Sequence, residues 1–231
     1  MKLSVLSAAL AGVLTCACAA TAQTAEESVE SASAIAQSPL YSNMEEVYFD
    51  HQDGKEPAPW TSLRLSEDGK TAEFLDAYGA LQSEPKSWSV IGRSDETLTL
   101  QLGEKKTELR RARDVTCWAA VRKAKDKPDH SADWFFEDDL NLHDQGGRVV
   151  IGDEATGAPY TVLRIRRVTW AAGSSNRPSL ALYVYKAEAP DQVISYSWTE
   201  IESDRIGISL GWMQASCTIA PRETAAAVGA G

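Results

Sequence analysis

The stretch at residues 61–77, TSLRLSEDGKTAEFLDA, decides the fold class because apolar and polar residues alternate along it. Leu63 and Leu65 are separated by one polar residue, and the same period returns after the dipeptide Asp68-Gly69. A period of two is typical of a β-strand with one buried face, and an Asp-Gly turn between two such runs indicates a hairpin. The stretch therefore predicts two antiparallel strands.

Alternation of this kind continues through most of the chain. SWSVIG (87–92) and TLTLQL (97–102) form a second predicted hairpin, and further alternating runs follow with turn residues between them. Many short strands separated by turns favour an antiparallel sandwich or barrel. We predict an all-β fold with little helix, in which the helical candidates are residues 76–83 and a turn near residues 131–138.

Two similar octets suggest that the chain is duplicated. APWTSLRL (58–65) and APYTVLRI (158–165) lie one hundred residues apart, and SWS and SYS match at an offset of 108. Self-similarity in a preserved order indicates an internal repeat. We predict a first β-rich half at 40–123, a connector at 124–139 and a second half at 140–222. The alternative is that any two alternating strands look alike.

The two ends of the chain differ in composition from its middle. Residues 1–22 carry one lysine, an apolar run and an Ala-Thr-Ala cleavage pattern, which predicts a secretory signal peptide. Residues 23–39 and 223–231 are poor in aromatic residues and predict a flexible leader and tail. We expect a periplasmic or secreted protein without a transmembrane segment. A lipid anchor through Cys16 or Cys18 is the alternative, but the residues before them fit a lipidation motif poorly.

The two remaining cysteines predict a disulfide bond between Cys117 and Cys217, because an exported chain meets an oxidising compartment. If two halves pack about a pseudo-two-fold axis, equivalent residues meet near that axis. The cysteine Cα atoms would then lie about 5.5 to 6 Å apart. Two buried free thiols or an intermolecular bridge are the alternatives.

The charge of the chain limits its partners. A formal net charge of −10 argues against a general affinity for nucleic acid or anionic lipid, both of which reward a basic surface. Basic clusters occur in ELRRARD (108–114) and RIRR (164–167). We expect their long side chains on exposed strand faces.

No pattern in the sequence indicates a catalytic, cofactor or metal site. The acidic stretch EDDLNLHDQ (137–145) lacks the glycine and terminal glutamate of a calcium loop. The histidines His51, His130 and His143 lie outside any nucleophile motif. A hydrolase without a recognisable motif is therefore only the third of our hypotheses.

The candidate ligand-binding residues are Trp60, Trp88, Arg64 and Arg164. Seven tryptophans can line an apolar cavity or serve as core residues, and the arginines can bind an anionic group or pair with carboxylates across strands. We predict a monomeric, non-catalytic scaffold of the cell envelope that binds a small molecule and needs no cofactor. The alternative is an inhibitor or interaction protein that contacts a secreted partner through hairpin loops, above all residues 103–114.

Overall fold

The computed structural model describes residues 38–85, 87–170, 174–186 and 188–222. The predicted signal peptide, the predicted leader up to residue 37 and the predicted tail at 223–231 lie outside these residues, as do Cys16 and Cys18. In the described part of the chain the elements are, in order, β1 (Leu40–Ser42), α1 (Met44–Gln52), β2 (Ser62–Leu65), β3 (Ala72–Leu75), β4 (Trp88–Arg93), β5 (Thr97–Leu102), β6 (Lys105–Arg111), β7 (Asp114–Arg122), β8 (Trp134–His143), β9 (Gln145–Ile151), β10 (Thr161–Val168), β11 (Ser179–Lys186), β12 (Ala189–Glu200), β13 (Arg205–Ser209) and β14 (Met213–Ile219).

The first six strands form one curled antiparallel sheet. Its strand order is β3-β2-β1-β6-β5-β4, so β1 and β6 are central and β3 and β4 are the edges. Strand β2 pairs with β3, with Leu63 opposite Phe74, and Gly69 in their turn has a φ of 71°. Strand β4 pairs with β5. Both hairpins predicted from the sequence are thus confirmed.

The remaining eight strands form two four-stranded antiparallel sheets, which we call the sandwich. Their orders are β13-β14-β7-β8 and β12-β11-β10-β9. The chain passes from one sheet to the other between β8 and β9, and again between β12 and β13. The predicted all-β antiparallel class is confirmed, and the architecture is consistent with the predicted sandwich or barrel.

Each region has its own hydrophobic core. Both sheets of the sandwich contribute to one buried cluster, for example Ala119 and Val121 from one sheet and Leu163 and Ile165 from the other. The curled sheet buries a smaller cluster on its concave face, formed by Tyr41, Leu63, Leu65, Phe74, Leu98, Leu100 and Leu109. Alternation along each strand produces these clusters, because successive side chains point to opposite faces.

The predicted disulfide bond between Cys117 and Cys217 is confirmed. The two cysteines are directly opposite each other on the neighbouring strands β7 and β14, and both are almost completely buried. Their Cα atoms lie 3.9 Å apart, closer than expected, because the bond joins paired residues of adjacent strands. The bond closes a loop of one hundred residues that contains nearly all of the sandwich.

A buried ion pair lies where the curled sheet meets the sandwich. Arg113, between β6 and β7, donates from Nε to Oδ2 of Asp144 at 3.0 Å and from its backbone N–H to Oδ1 at 2.9 Å. Its Nη2 also donates to the carbonyl of Ile201 at 2.6 Å. Burial raises the pKa of Asp144, although the hydrogen bonds from Arg113 oppose that shift. The pair therefore fixes the β6–β7 and β8–β9 corners to each other.

The helical predictions were wrong. The helix α1 occupies Met44–Gln52, whereas residues 76–83 form a turn in which Asp76 Oδ1 accepts the N–H groups of Tyr78 and Ala80. Residues 131–138 are loop and the beginning of β8. Among the described residues, no helix has the length and apolar character that a membrane crossing requires.

The segment predicted as a connector contains the start of β8. Of its three aromatic residues, Trp134 is 38% exposed and Phe136 is 59% exposed, whereas Phe135 packs against the sandwich core. This difference arises because alternate residues of a strand face opposite sides.

The two matched octets have the same local geometry in different surroundings. Thr61 Oγ1 donates to the carbonyl of Pro59 at 3.1 Å, and Thr161 Oγ1 donates to the carbonyl of Pro159 at 3.1 Å. However, β2 lies between β1 and β3 in the curled sheet, whereas β10 lies between β9 and β11 in the sandwich. The internal duplication is therefore not confirmed.

Candidate ligand-binding cleft

A cleft of about 370 Å³ lies at one end of the curled sheet, between its two edges. The sheet forms a single layer, and its edge strands β3 and β4 do not pair with each other. The concave face therefore stays partly open between these two edges. The antiparallel order brings the start of β2, the end of β3, the segment before β4 and the end of β5 to the same place. These four chain segments form the walls of the cleft.

The described lining of the cleft combines apolar side chains with uncharged polar ones. The residues that line it are Pro59, Trp60, Thr61, Ser62, Phe74, Leu75, Gln82, Ser83, Pro85, Ser87, Leu102 and Gly103. Within the described residues, the lining therefore contains no ionisable side chain. An apolar pocket with a few polar groups is the usual form of a small-molecule site.

Asn43 holds the wall segment that carries Trp60. Its side chain accepts the Thr61 N–H at 2.7 Å and donates to the Pro59 carbonyl at 2.9 Å. It also donates to Thr107 Oγ1 at 3.1 Å, and its backbone N–H donates to the Thr61 carbonyl at 3.1 Å. Asn43 is only 2% exposed. Residues on both sides of Trp60 are thus fixed by one buried amide.

The indole of Trp60 is anchored at one end and accessible at the other. Its Nε1 donates to Ser42 Oγ at 3.4 Å, and Ser42 Oγ also accepts a 2.8 Å hydrogen bond from Ser62 Oγ. The residue remains 38% exposed. A ring that is held by a hydrogen bond and open on one side can contact a ligand without first being ordered.

Trp88 lies behind the cleft rather than in its wall. Its ring meets the ring of Phe74 edge to face at a centroid distance of 5.8 Å, and its Nε1 donates to Glu84 Oε1. Phe74 itself lines the cleft. The structure thus brings Trp60 to the site directly and Trp88 to its support, through Phe74.

The two candidate arginines lie outside the cleft and apart from each other. Arg64 points away from the concave face, where it donates to the Ser38 carbonyl at 2.7 Å and forms an ion pair with Asp114 at 3.5 Å. Arg164 lies under α1, where its Nη2 contacts Met44 Sδ at 3.1 Å. The expectation that the RIRR stretch has exposed side chains was wrong for Arg164 and Arg166, which are 7% and 8% exposed. The helix missed in the sequence covers them.

The histidines are spread over the fold. His51 and His130 are exposed, and residue 130 sits in a turn where Ser131 bonds to Asp129. His143 is buried, and burial together with the positive charge of Arg64 lowers its pKa to about 4. The described residues contain no group of three His, Cys, Asp or Glu side chains that could hold a metal ion. The acidic stretch 137–145 is divided between two strand faces and a corner.

Sequence reasoning missed Asn43, the residue that organises the cleft wall. A single asparagine before an unrecognised helix gives no periodic signal, and its partners lie 16 to 64 residues away. The uncharged residues Gln82, Ser83 and Ser87 were missed because they belong to an irregular segment. Comparison of the chain with protein-family models, with curated proteins and with solved structures finds no match.

Proposed function

We propose that this protein is an exported, non-catalytic binding protein that holds a small, uncharged, partly apolar molecule in the cleft of its curled sheet. The observation that carries the proposal is the composition of the cleft, whose described lining residues are aromatic, aliphatic or polar but uncharged. Its volume falls in the range that small-molecule sites occupy. Export rests on the predicted signal peptide, and the buried disulfide bond fits an oxidising compartment.

The described lining residues carry no charge, which leads to a test with two matched probes. N-phenyl-1-naphthylamine is neutral, and anilinonaphthalene sulfonate is a similar molecule with a negative charge. We expect fluorescence titration to show saturable binding of the neutral probe and weaker binding of the sulfonate, because none of the described lining residues offers the sulfonate a cation. Equal binding of both probes would contradict the proposal.

Two variants locate the bound probe. Trp60→Ala removes the exposed ring and should weaken binding about tenfold, and Ser87→Trp should block the cleft by adding volume without removing a core residue. The matched control is Trp134→Ala, because Trp134 is also 38% exposed but lies on β8. Unchanged binding in Trp60→Ala and Ser87→Trp would place the probe elsewhere and refute the cleft. Native mass spectrometry of the exported protein then identifies a natural ligand by mass that is lost on denaturation.

The second candidate function, contact with a secreted protein partner, is favoured by an aromatic surface on the sandwich. Trp170 and Trp198 stack at 5.3 Å, Tyr196 meets Trp198 edge to face, and all three are at least 38% exposed. Exposed aromatic clusters are typical of interaction surfaces. The predicted contact element at residues 103–114 includes β6, which is hydrogen-bonded on both sides, so its deletion would disrupt the sheet.

The two candidate functions separate in one experiment. A Tyr196→Ser/Trp198→Ser double variant should keep full binding of the neutral probe if the cleft is the functional site. Two results together would favour the partner function. A purified partner, identified by cross-linking, would lose affinity for this variant, and no small molecule of the periplasm would displace the neutral probe from the cleft.

A further inference from the structure

A second, much smaller cavity lies beneath α1, away from the cleft. It is enclosed by Met44 and Glu45 of the helix, Gln145 of β9, and Arg164, Arg166 and Arg167 of β10. Its volume is about 10 Å³, which is room for one particle of the size of a water molecule. The ring of Tyr48 lies against the Arg166 guanidinium at 3.9 Å and covers this side of the site.

The cavity carries more positive than negative charge. Three guanidinium groups and one carboxylate line it. The carboxylate of Glu45 is engaged elsewhere, since Oε1 accepts the Thr169 N–H at 3.0 Å and Oε2 faces Arg110 at 3.5 Å. Among the described residues, no carboxylate lies within 4.0 Å of the guanidinium groups of the three lining arginines. Buried charges in proteins are normally paired, so this excess requires a counter-charge.

Several hydrogen-bonding atoms at the cavity have no protein partner. Both side-chain heteroatoms of Gln145 are buried and unbonded, as are the Nε atoms of Arg164 and Arg167. Gln145 is only 2% exposed. The Nη2 of Arg164 donates to the sulfur of Met44 at 3.1 Å, which is a weak acceptor. Three of these four unbonded atoms are N–H donors and one, Gln145 Oε1, is an acceptor, so the site lacks acceptors more than donors.

We propose that this cavity binds a single monatomic anion, a halide such as chloride, between Gln145 and the arginines of β10. The anion accepts the free N–H groups of Gln145 and Arg164 and offsets the buried positive charge. Sulfate and phosphate are excluded by size, because four oxygens do not fit in a space for one water-sized particle. Burial lowers the pKa of Arg164, Tyr185 opposes this shift, and the charges of Arg148 and Arg166 add to it.

The test uses the thermal unfolding of the full chain at pH 7.5 in sodium chloride, sodium bromide or sodium gluconate at one ionic strength. Gluconate supplies the same screening but is too large for the cavity. We expect chloride and bromide to raise Tm with a one-site concentration dependence, by about 5 °C when the site is nearly saturated. Equal Tm values in the three salts would overturn the proposal without the need for any variant.

Two variants and a control assign the effect to the cavity. Arg164→Met removes the buried charge, and Gln145→Leu removes unbonded polar atoms; each should weaken the halide dependence about tenfold or more. Arg205→Met, at an exposed position of β13, should leave it unchanged. A halide dependence that survives in both cavity variants would place the ion elsewhere and refute the site. In crystals grown with bromide, the anomalous signal should show one peak between Gln145 and Arg164, whereas a water molecule there would also refute the proposal.

Discussion

The strands of the sandwich and of the curled sheet show the same alternation of apolar and polar residues, but the two regions differ in what covers their inner faces. In the sandwich, the inner face of each four-stranded sheet meets that of the other, and side chains such as Leu163, Leu180 and Val121 are completely buried. Among the described residues, no second sheet covers the concave face of the curled sheet, and its edge strands β3 and β4 meet through the rings of Phe74 and Trp88 without pairing as strands. Space for a ligand is therefore left in the region where only one layer surrounds the core.

The octets at 58–65 and 158–165 show the same contrast at the level of single residues. Leu63 and Leu163 are both fully buried, and the threonine before each strand makes the same hydrogen bond. Trp60 lies at the cleft, whereas Tyr160 is 47% exposed at the edge of the sandwich core. Local sequence thus specifies the strand, and the surrounding layers decide whether the aromatic residue before it borders a cavity.

The largest expected effect tests whether closure of the sandwich is needed for stability. A Cys117→Ala/Cys217→Ala variant should lose about 4.7 kcal/mol of unfolding free energy in the chain-entropy model, because the bond closes a loop of one hundred residues. Urea unfolding followed by tryptophan fluorescence measures the loss. Binding of the neutral probe below the transition should be unchanged, since the cleft belongs to the other region. Unchanged stability would mean that the paired strands alone close the sandwich.

The second effect tests the junction between the two regions. Arg113→Met should destabilise the protein by about 4 kcal/mol, because it leaves the buried Asp144 carboxylate without its partner. The control is Arg222→Met, which breaks exposed ion pairs to Glu96 and Glu202 and should cost less than about 1 kcal/mol. Both losses are measured by urea unfolding. Similar losses in the two variants would show that burial of the Arg113–Asp144 pair does not increase its contribution to the free energy of unfolding.

The third effect is a pH dependence that resides in the sandwich. His143 has a folded-state pKa of about 4, below its value of 6.5 in an unfolded chain, so its contribution is complete above pH 6.5 and is lost as the pH falls to about 4. The loss amounts to about 3 kcal/mol. Asp144, whose pKa is raised, acts in the opposite direction, because its protonation in acid favours the folded state.

The contribution of His143 is therefore measured as the difference in pH dependence between the wild type and a variant without this histidine. Unfolding free energies at pH 7.5, 5.5 and 4.5 should decrease less with acidification in His143→Leu than in the wild type, while the exposed-site control His130→Leu should follow the wild type. Parallel pH profiles for all three proteins would assign the acid sensitivity to other groups.

The smallest effect concerns the wall of the cleft. Asn43→Ala removes three side-chain hydrogen bonds, two to residues that flank Trp60 and one to Thr107, and should cost about 2 kcal/mol. Affinity for the neutral probe should fall as well, because the wall segment loses its fixed position. Asn141→Ala is the control, since Asn141 is exposed on β8 and its side chain makes only exposed hydrogen bonds, as donor to the Asp139 carbonyl and as acceptor from Thr116 Oγ1. If Asn43→Ala loses stability but binds the probe normally, Trp60 is held by its strand alone.

Much of the strand framework and the disulfide bond could be predicted because they depend on local or pairwise signals. The alternation around Leu63 and Phe74 and the Asp68-Gly69 turn predicted the first hairpin, and only two cysteines outside the predicted signal peptide were available to form a bond within the chain. Trp60 was identified from the sequence as a candidate ligand-binding residue, but its position at the cleft was not predicted. The site itself depends on which strands become sheet edges, which is a property of the complete topology.

The failures have a common physical cause. The helix α1 has a weak apolar pattern, so its position over β10 was missed, and with it the burial of Arg164 and Arg166. Strand alternation predicts two faces but does not say whether the polar face meets water or another element. Asn43 was also missed because its role depends on tertiary contacts: its hydrogen bonds join segments that are distant in sequence.

The position of the disulfide bond has a mechanical consequence. Cys117 and Cys217 lie near the first and last residues of the sandwich, on strands that start at Asp114 and end at Ile219. A force that pulls on the two ends of this region is therefore carried by the covalent link after only a few residues have been extended. The strands between the cysteines bear no load, and the sandwich cannot be unravelled by tension unless the bond is first reduced.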